Sequence, residues 1–140
     1  MSLARFREAQ DRIWPAPLEE LRAGRKATHW MWFVFPQLRG LGRSETARRF
    51  GIAGLDEARA YLADPVLGPR LLEAAAAMQA NAGRAPEEVL GAVDALKLRS
   101  SATLFAMAAE DPAPFRALLE TFHAGEDCPA TRDMLKGDAR

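Results

Sequence analysis

One cysteine, Cys128, occurs in 140 residues, so no intrachain disulfide can form. Lying beside Pro129 near the C-terminus, this thiol reads as an exposed spectator rather than a nucleophile, in a chain suited to a reducing compartment. Histidine is almost as scarce. His29 and His123 stand far apart, no pair has metal-ligand spacing, and neither a metal nor a cofactor is expected. Net charge is absent, with 19 basic and 19 acidic residues. No global field therefore draws nucleic acid or an anionic surface, which argues against a nucleic-acid partner. Long apolar runs are missing too. The stretches 30–36 and 74–78 are far shorter than the ~20 residues a membrane span needs, and Met1–Arg12 lacks the apolar segment of a signal peptide. A soluble cytoplasmic protein is expected, and no pattern speaks to its oligomeric state.

β-Branched residues are thinly scattered and nowhere alternate with polar ones, which excludes an extended sheet; residues 30–35 are the one place a strand could hide. Ala, Leu, Arg and Glu dominate instead, a helix-forming composition. The expectation is an all-α fold, one compact domain over residues 1–140 with about seven to nine helices. Phe6, Ala9 and Ile13 share a helix face that ends at Trp14-Pro15. Pro17 opens a short helix that buries Leu18 and Leu21 and closes at Gly24. Ser44 caps a segment running to Gly51, and Asp56 is expected to cap residues 57–63. Asp64-Pro65 should begin the longest helix, about 66–82, whose regular part starts at Pro69 if Gly68-Pro69 disturbs it. Short and long helices follow at 86–90 and 93–109. Asp111-Pro112 starts another that buries Phe115, Leu118, Leu119 and Phe122. Met134 and Leu135 mark a last turn before a charged tail.

Charge is uneven along the chain. Residues 1–50 hold ten basic and five acidic groups, hence +5, and the remainder is −5. This imbalance predicts pairing between the two halves, or else faces of opposite sign.

Two segments carry the candidate chemistry. In Thr28-His29-Trp30-Met31-Trp32-Phe33-Val34-Phe35-Pro36-Gln37, four aromatics fall within six residues. Each large apolar side chain contributes ~2–3 kcal/mol on full burial, and Met31, Phe33 and Val34 read as core. Trp30 and Trp32 also carry indole N–H donors that need partners when buried. The turn 39–44 follows, where Arg39, Arg43, two glycines and the amides of 44–46 suggest an anion cradle, although it matches neither a dinucleotide fingerprint nor a P-loop. The second segment is residues 94–105. On a helix Asp94, Lys97 and Ser101 share a stripe distinct from Leu98, Ala102 and Phe105, and Arg99 and Thr103 line up with Leu96 and Ser100 beside them. Either this stripe faces a polar pocket, or it is a solvated face with an Asp94–Lys97 pair contributing only ~0.2–0.5 kcal/mol.

The strings His-Trp-Met-Trp-Phe at 29–33 and Leu-Lys-Leu-Arg-Ser-Ser at 96–101 resemble the bacterial domain of unknown function 1810 family. Residues 20–26, 38–42 and 65–71 do so as well. That resemblance covers nearly the whole chain and implies a small, mainly helical cytoplasmic protein with no established activity. Trp14-Pro15-Ala16-Pro17 departs from it locally. The order of the motifs, though not their strings, is similar to YbiA-like N-glycosidases acting on ADP-ribose-type and riboflavin-intermediate substrates, a likeness that transfers no residue roles.

The expected function is a pocket that binds, and in an enzyme would hydrolyse, a small anionic nucleotide or sugar phosphate. Trp30 or Trp32 would stack on a ring, and Arg39, Arg43, Lys97 and Arg99 would neutralise phosphate, with Gln37 and Ser100 as further polar contacts. His29 could act as acid or base, and Asp94, with Glu45, is the carboxylate nearest these motifs. The alternative is an interaction module that presents the basic N-terminal half, Arg48-Arg49 included, to an acidic protein or RNA.

Overall fold

In the computed structural model, which describes residues 2–136, ten helices and no strand are found among the described residues. They are α1 (Ala4–Asp11), α2 (Ala16–Ala23), α3 (Met31–Val34), α4 (Glu45–Arg49), α5 (Leu55–Ala63), α6 (Leu67–Gln79), α7 (Pro86–Leu90), α8 (Ala92–Ala108), α9 (Ala113–His123) and α10 (Pro129–Leu135). No helix is long and apolar enough to cross a membrane. The charged tail read from the sequence lies, from residue 137 onward, outside the described residues.

Helix α8 is the axis of this all-α domain. It packs against α5, α7, α9 and α10, and its buried residues, from Ala95 to Ala108, point in every direction. A helix apolar on all sides belongs inside. Its Phe105 ring sits 5.3 Å from Tyr61 of α5 and 5.7 Å from Phe115 of α9. Tyr61 stands edge-on to Phe6 of α1 at 5.2 Å, and Phe6 meets Phe50 at 5.8 Å. One aromatic chain thus runs through four helices. Gln10 of α1, fully buried, donates to the Tyr61 hydroxyl at 3.0 Å and to the Phe33 carbonyl at 2.6 Å, which satisfies the polar end of the tyrosine. Burial pushes the Tyr61 phenol well above its ordinary range.

The charge imbalance resolves into pairing. Arg5 meets Glu57 at 2.9 Å, Lys26 meets Asp94 at 3.0 Å, and Arg7 pairs with Asp64. Each joins a base of the first fifty residues to an acid beyond them.

Residues 31–34, in the one place a strand could hide, are helical as the all-α expectation requires, and the only strand-like contact among the described residues is an isolated parallel bridge, Leu38 with Ile52. Several sequence expectations are corrected. Gly54, not Asp56, stands at the cap of α5: its carbonyl accepts from Ala58 N at 3.0 Å, while Asp56 lies exposed in the first turn and pairs with Arg59. The longest helix is α8, with 17 residues against 13 in α6. Helix α6 begins at Leu67 because Asp64 Oδ1 accepts the amides of Val66 and Leu67, both at 2.9 Å. The Gly68-Pro69 step therefore sits inside the first turn, where a proline removes no helical hydrogen bond. Cys128 is half-buried rather than exposed, and accepts a hydrogen bond from the Ser100 hydroxyl at 3.5 Å.

Candidate functional site

The apolar face of α2, Leu18 and Leu21, turns inward. Gly24 then adopts a left-handed conformation (φ 80°), which costs little for a residue without a side chain, and reverses the chain so that residues 26–30 return past the helix. There Glu20 gathers them. Its Oε1 accepts from Ala27 N at 2.6 Å, Thr28 N at 2.9 Å and the Trp30 indole Nε1 at 3.0 Å, and its Oε2 accepts from the Thr28 hydroxyl at 2.6 Å. The buried indole therefore has the partner its N–H requires. Burial alone would raise the Glu20 carboxyl, but these donors outweigh it and bring the group down from 4.5 to about 2.

A depressed carboxyl stabilises the fold above its unfolded value, and that contribution is lost as pH falls through the folded one. The melting temperature should therefore drop between pH 4.5 and about 2, and Glu20→Gln should flatten the drop in that window. An unchanged acid limb in the variant would refute this role for Glu20.

Lys26 is anchored by its backbone, whose amide donates to the Val89 carbonyl at 2.7 Å. Its ammonium lies 5.2 Å from the Trp30 ring centroid and 3.0 Å from Asp94 Oδ2. The other Asp94 oxygen accepts from Lys97 Nζ at 3.1 Å, and that ammonium lies 3.8 Å over the Trp32 ring. Trp30, Lys26, Asp94, Lys97 and Trp32 thus form a continuous arc joining α3, α8 and the loop after α2. The three charged side chains are only 9, 16 and 17 % exposed, so their attraction is weakly screened and their desolvation has to be offset by these contacts. Trp30 is buried, whereas Trp32 is half-buried. Gly42 packs at the Trp32 edge, where a Cβ would lie 3.6 Å from its Cη2.

Of the sequence candidates, then, Trp30, Trp32, Asp94 and Lys97 come together. His29 stands exposed beside Trp30. Gln37 is half-buried, its carbonyl accepting from Ile52 N at 2.9 Å. Arg39 turns away from the 44–46 amides and donates to the Gly51 carbonyl at 3.2 Å; Arg43 is exposed, and Ser44 Oγ accepts from Ala47 N at 3.1 Å. The expected anion cradle is therefore not assembled. Arg99 donates to the Glu126 and Asp127 carbonyls, at 3.0 and 2.6 Å, and the single Ser100 hydroxyl proton is shared between Leu96 O and Cys128 Sγ, so both residues hold the segment leading into α10. Lys26 and Glu20 carry roles that the residue-by-residue reading did not assign, although both fall in the 20–26 string. Two clefts lie elsewhere. One, of about 370 Å³, is lined by residues 53–57; the other, of about 710 Å³, lies between α5, α6 and α9 beside Leu72 and Phe115. Among the described residues no group of three or more His, Cys, Asp or Glu is placed to hold a metal ion.

The family model described as "Protein of unknown function (DUF1810)" matches residues 1–135. The chain belongs to this family. A crystal structure at 1.38 Å of the conserved hypothetical protein Rv1873 from Mycobacterium tuberculosis is similar to this DUF1810 chain, with 50% sequence identity over 95% of each chain and a TM-score of 0.93. Comparison with curated proteins finds no match. The DUF1810 resemblance of the motif strings is thereby established, along with the fold, and neither description names a ligand or a reaction.

Proposed function

We propose that the arc binds a small anionic ligand bearing a flat ring, a nucleotide being the best fit and a sugar phosphate the simpler relative. The carrying observation is the Lys97 ammonium seated 3.8 Å over the half-buried Trp32 ring while sharing Asp94 with Lys26. Two ammonium groups on one carboxylate leave a positive charge in excess there, and the negative charge of Glu20 is already taken up by four donors. An anion entering beside Lys97 meets a low-dielectric setting in which that excess counts for more than in water. The Trp32 ring supplies a stacking face once the lysine swings to the phosphate. Held between two ammonium groups, Asp94 serves as their anchor rather than as a base, so binding is favoured over hydrolysis. For a hydrolytic activity, His29, exposed and next to Trp30 in the chain, is the side chain to test as acid or base. The setting we assign is the cytoplasm, where a single unpaired thiol stays reduced.

Titration with ADP, followed by tryptophan fluorescence and by melting temperature, tests this. The wild-type protein should show quenching and a raised melting temperature. Trp32→Phe should lose most of the quenching, and Lys97→Ala should weaken binding by about ten- to a hundredfold, the range for one charged hydrogen bond. No response to ADP, to ribose 5-phosphate or to inorganic phosphate would sink the proposal.

A further inference from the structure

We infer that the cleft of about 710 Å³ at the far end of α8 is a binding site for a small organic cation, an apolar body carrying one ammonium group. It is separate from the arc. Asp94 and Lys97 lie in the first two turns of α8, whereas the cleft is lined by the last residue of that helix and the one after it, Ala108 and Ala109.

The opening follows from the way the chain reverses there. Ala109 ends α8 with extended backbone (φ −76°, ψ 144°), and Asp111 Oδ1 accepts the Ala113 amide at 3.0 Å, a turn that starts α9 back alongside α8. Helices α5 and α6 supply the remaining walls through Leu62, Ala63 and Leu72. Ala63, Ala108 and Ala109 offer only methyl groups to the space between the helices, so side chains do not fill it. Its volume falls within the range of small-molecule pockets.

The cleft has an apolar interior and a charged rim. Ala108 and Phe115 are buried, Leu62 is half-buried, and Leu72, 46 % exposed, is one of four large apolar side chains that the described residues leave open to water. An apolar body laid against Leu72 and Leu62 recovers the burial that their exposure forfeits. On the rim stand Arg59, Glu110 and Asp111. Arg59 is matched by Asp56 at 3.4 Å, while Glu110 is exposed and makes no ion pair or hydrogen bond among the described residues. Glu110 and Asp111 therefore leave the rim negative, which opposes an anion and favours a cation. The apolar interior supplies the affinity, and the rim selects the sign of the charge.

Isotope-labelled protein should be titrated at neutral pH with phenylbutylamine, phenylbutanol and phenylbutyrate, which share one apolar body and differ in charge, with amide resonances followed by NMR. The amine should shift the amides of residues 108–111 and 115. It should bind more tightly than the alcohol by up to about fivefold, the range an exposed ion pair supplies, and the carboxylate should bind most weakly. Glu110→Gln should no longer distinguish amine from alcohol. Ala63→Trp, a change at an exposed position on the cleft wall, should abolish the shifts and leave the melting temperature unchanged. The inference is overturned if none of the three compounds moves these amides, if the carboxylate binds as tightly as the amine, or if Glu110→Gln keeps the full preference. Cleft amides that move when the ligand-free protein is diluted would assign the cleft to a second copy of the chain, which overturns it as well. Nucleotide binding at the arc stands or falls apart from these results.

Discussion

Phe105→Ala should destabilise the protein by about 3–5 kcal/mol, the range for emptying a buried aromatic site, and lower its melting temperature by roughly 10 °C or more. The residue is fully buried, in the last turn of α8, and its ring is the link between Tyr61 and Phe115. Removing it separates the α9 side of the core from the chain of rings that continues through Phe6 to Phe50. The packed helices on several sides of α8 leave little room for collapse into the void, which sets the cost at the upper part of the range. Phe105→Leu, which keeps most of the volume, should cost less than half as much. Urea unfolding of both variants measures the difference; a loss under 1 kcal/mol for Phe105→Ala, well below that range, would show that the ring is not a keystone of the core.

Gly68→Ala should be the most damaging single methyl in the chain. In an ordinary helix interior this change is favourable, by about 1 kcal/mol. Here a Cβ would overlap the Leu62 carbonyl oxygen of α5. The obstacle is backbone, not the free end of a side chain, so relief requires α6 to move away from α5, two helices that pack directly on each other. Overpacking of this kind costs about 1–3 kcal/mol, enough to reverse the sign that propensity alone predicts. A variant as stable as the wild type, or more so, would mean that the α5–α6 contact yields easily.

Most of the helical plan is legible in the residues because the devices that set it are local. Gly24 past α2, Ser44 before α4, Asp64 ahead of α6 and the prolines at the starts of α7 and α9 all act within a turn or two of themselves. Where the reading fails, contacts between distant parts of the chain decide. Helix α3 is four residues long, too short for any apolar period to register, and it holds its shape because Trp30, Met31 and Val34 are buried along one side of a single turn while Trp32 and Phe33 are half-buried on the other. At α5 the cap preference of Asp56 loses to the position of Glu57. That residue is drawn to Arg5 and accepts from Ala53 N at 3.0 Å, so the helix starts two residues earlier than expected.

The candidate site divides in the same way. Trp32 and Lys97 stand out individually as an exceptional aromatic cluster and a base in an apolar helix. Their meeting across 65 positions has no local signature. Lys26 gave no sign because, in a stretch with Arg22 and Arg25, it resembles any exposed base; only the approach of Asp94 from α8 buries it. Arg39 failed in the opposite sense. Its charge suited an anion, but the bridge between Leu38 and Ile52 fixes its backbone beside residue 51 and commits the side chain there.

The junction of α8 with α10 has a practical use. Arg99 grips the carbonyls of residues 126 and 127, Arg116 and Arg132 grip the Asp127 carboxylate, and Cys128 lies next to them against Ser100, its amide donating to the Thr103 hydroxyl at 2.9 Å. Because the chain has one thiol, half-buried beside this clasp, the rate at which a disulfide reagent labels it becomes sensitive to detachment of the C-terminal helix. When reclosing outpaces labelling, the ratio of that rate to the rate in the unfolded chain sets a lower limit on the free energy of this one local opening. Global denaturation cannot resolve that quantity.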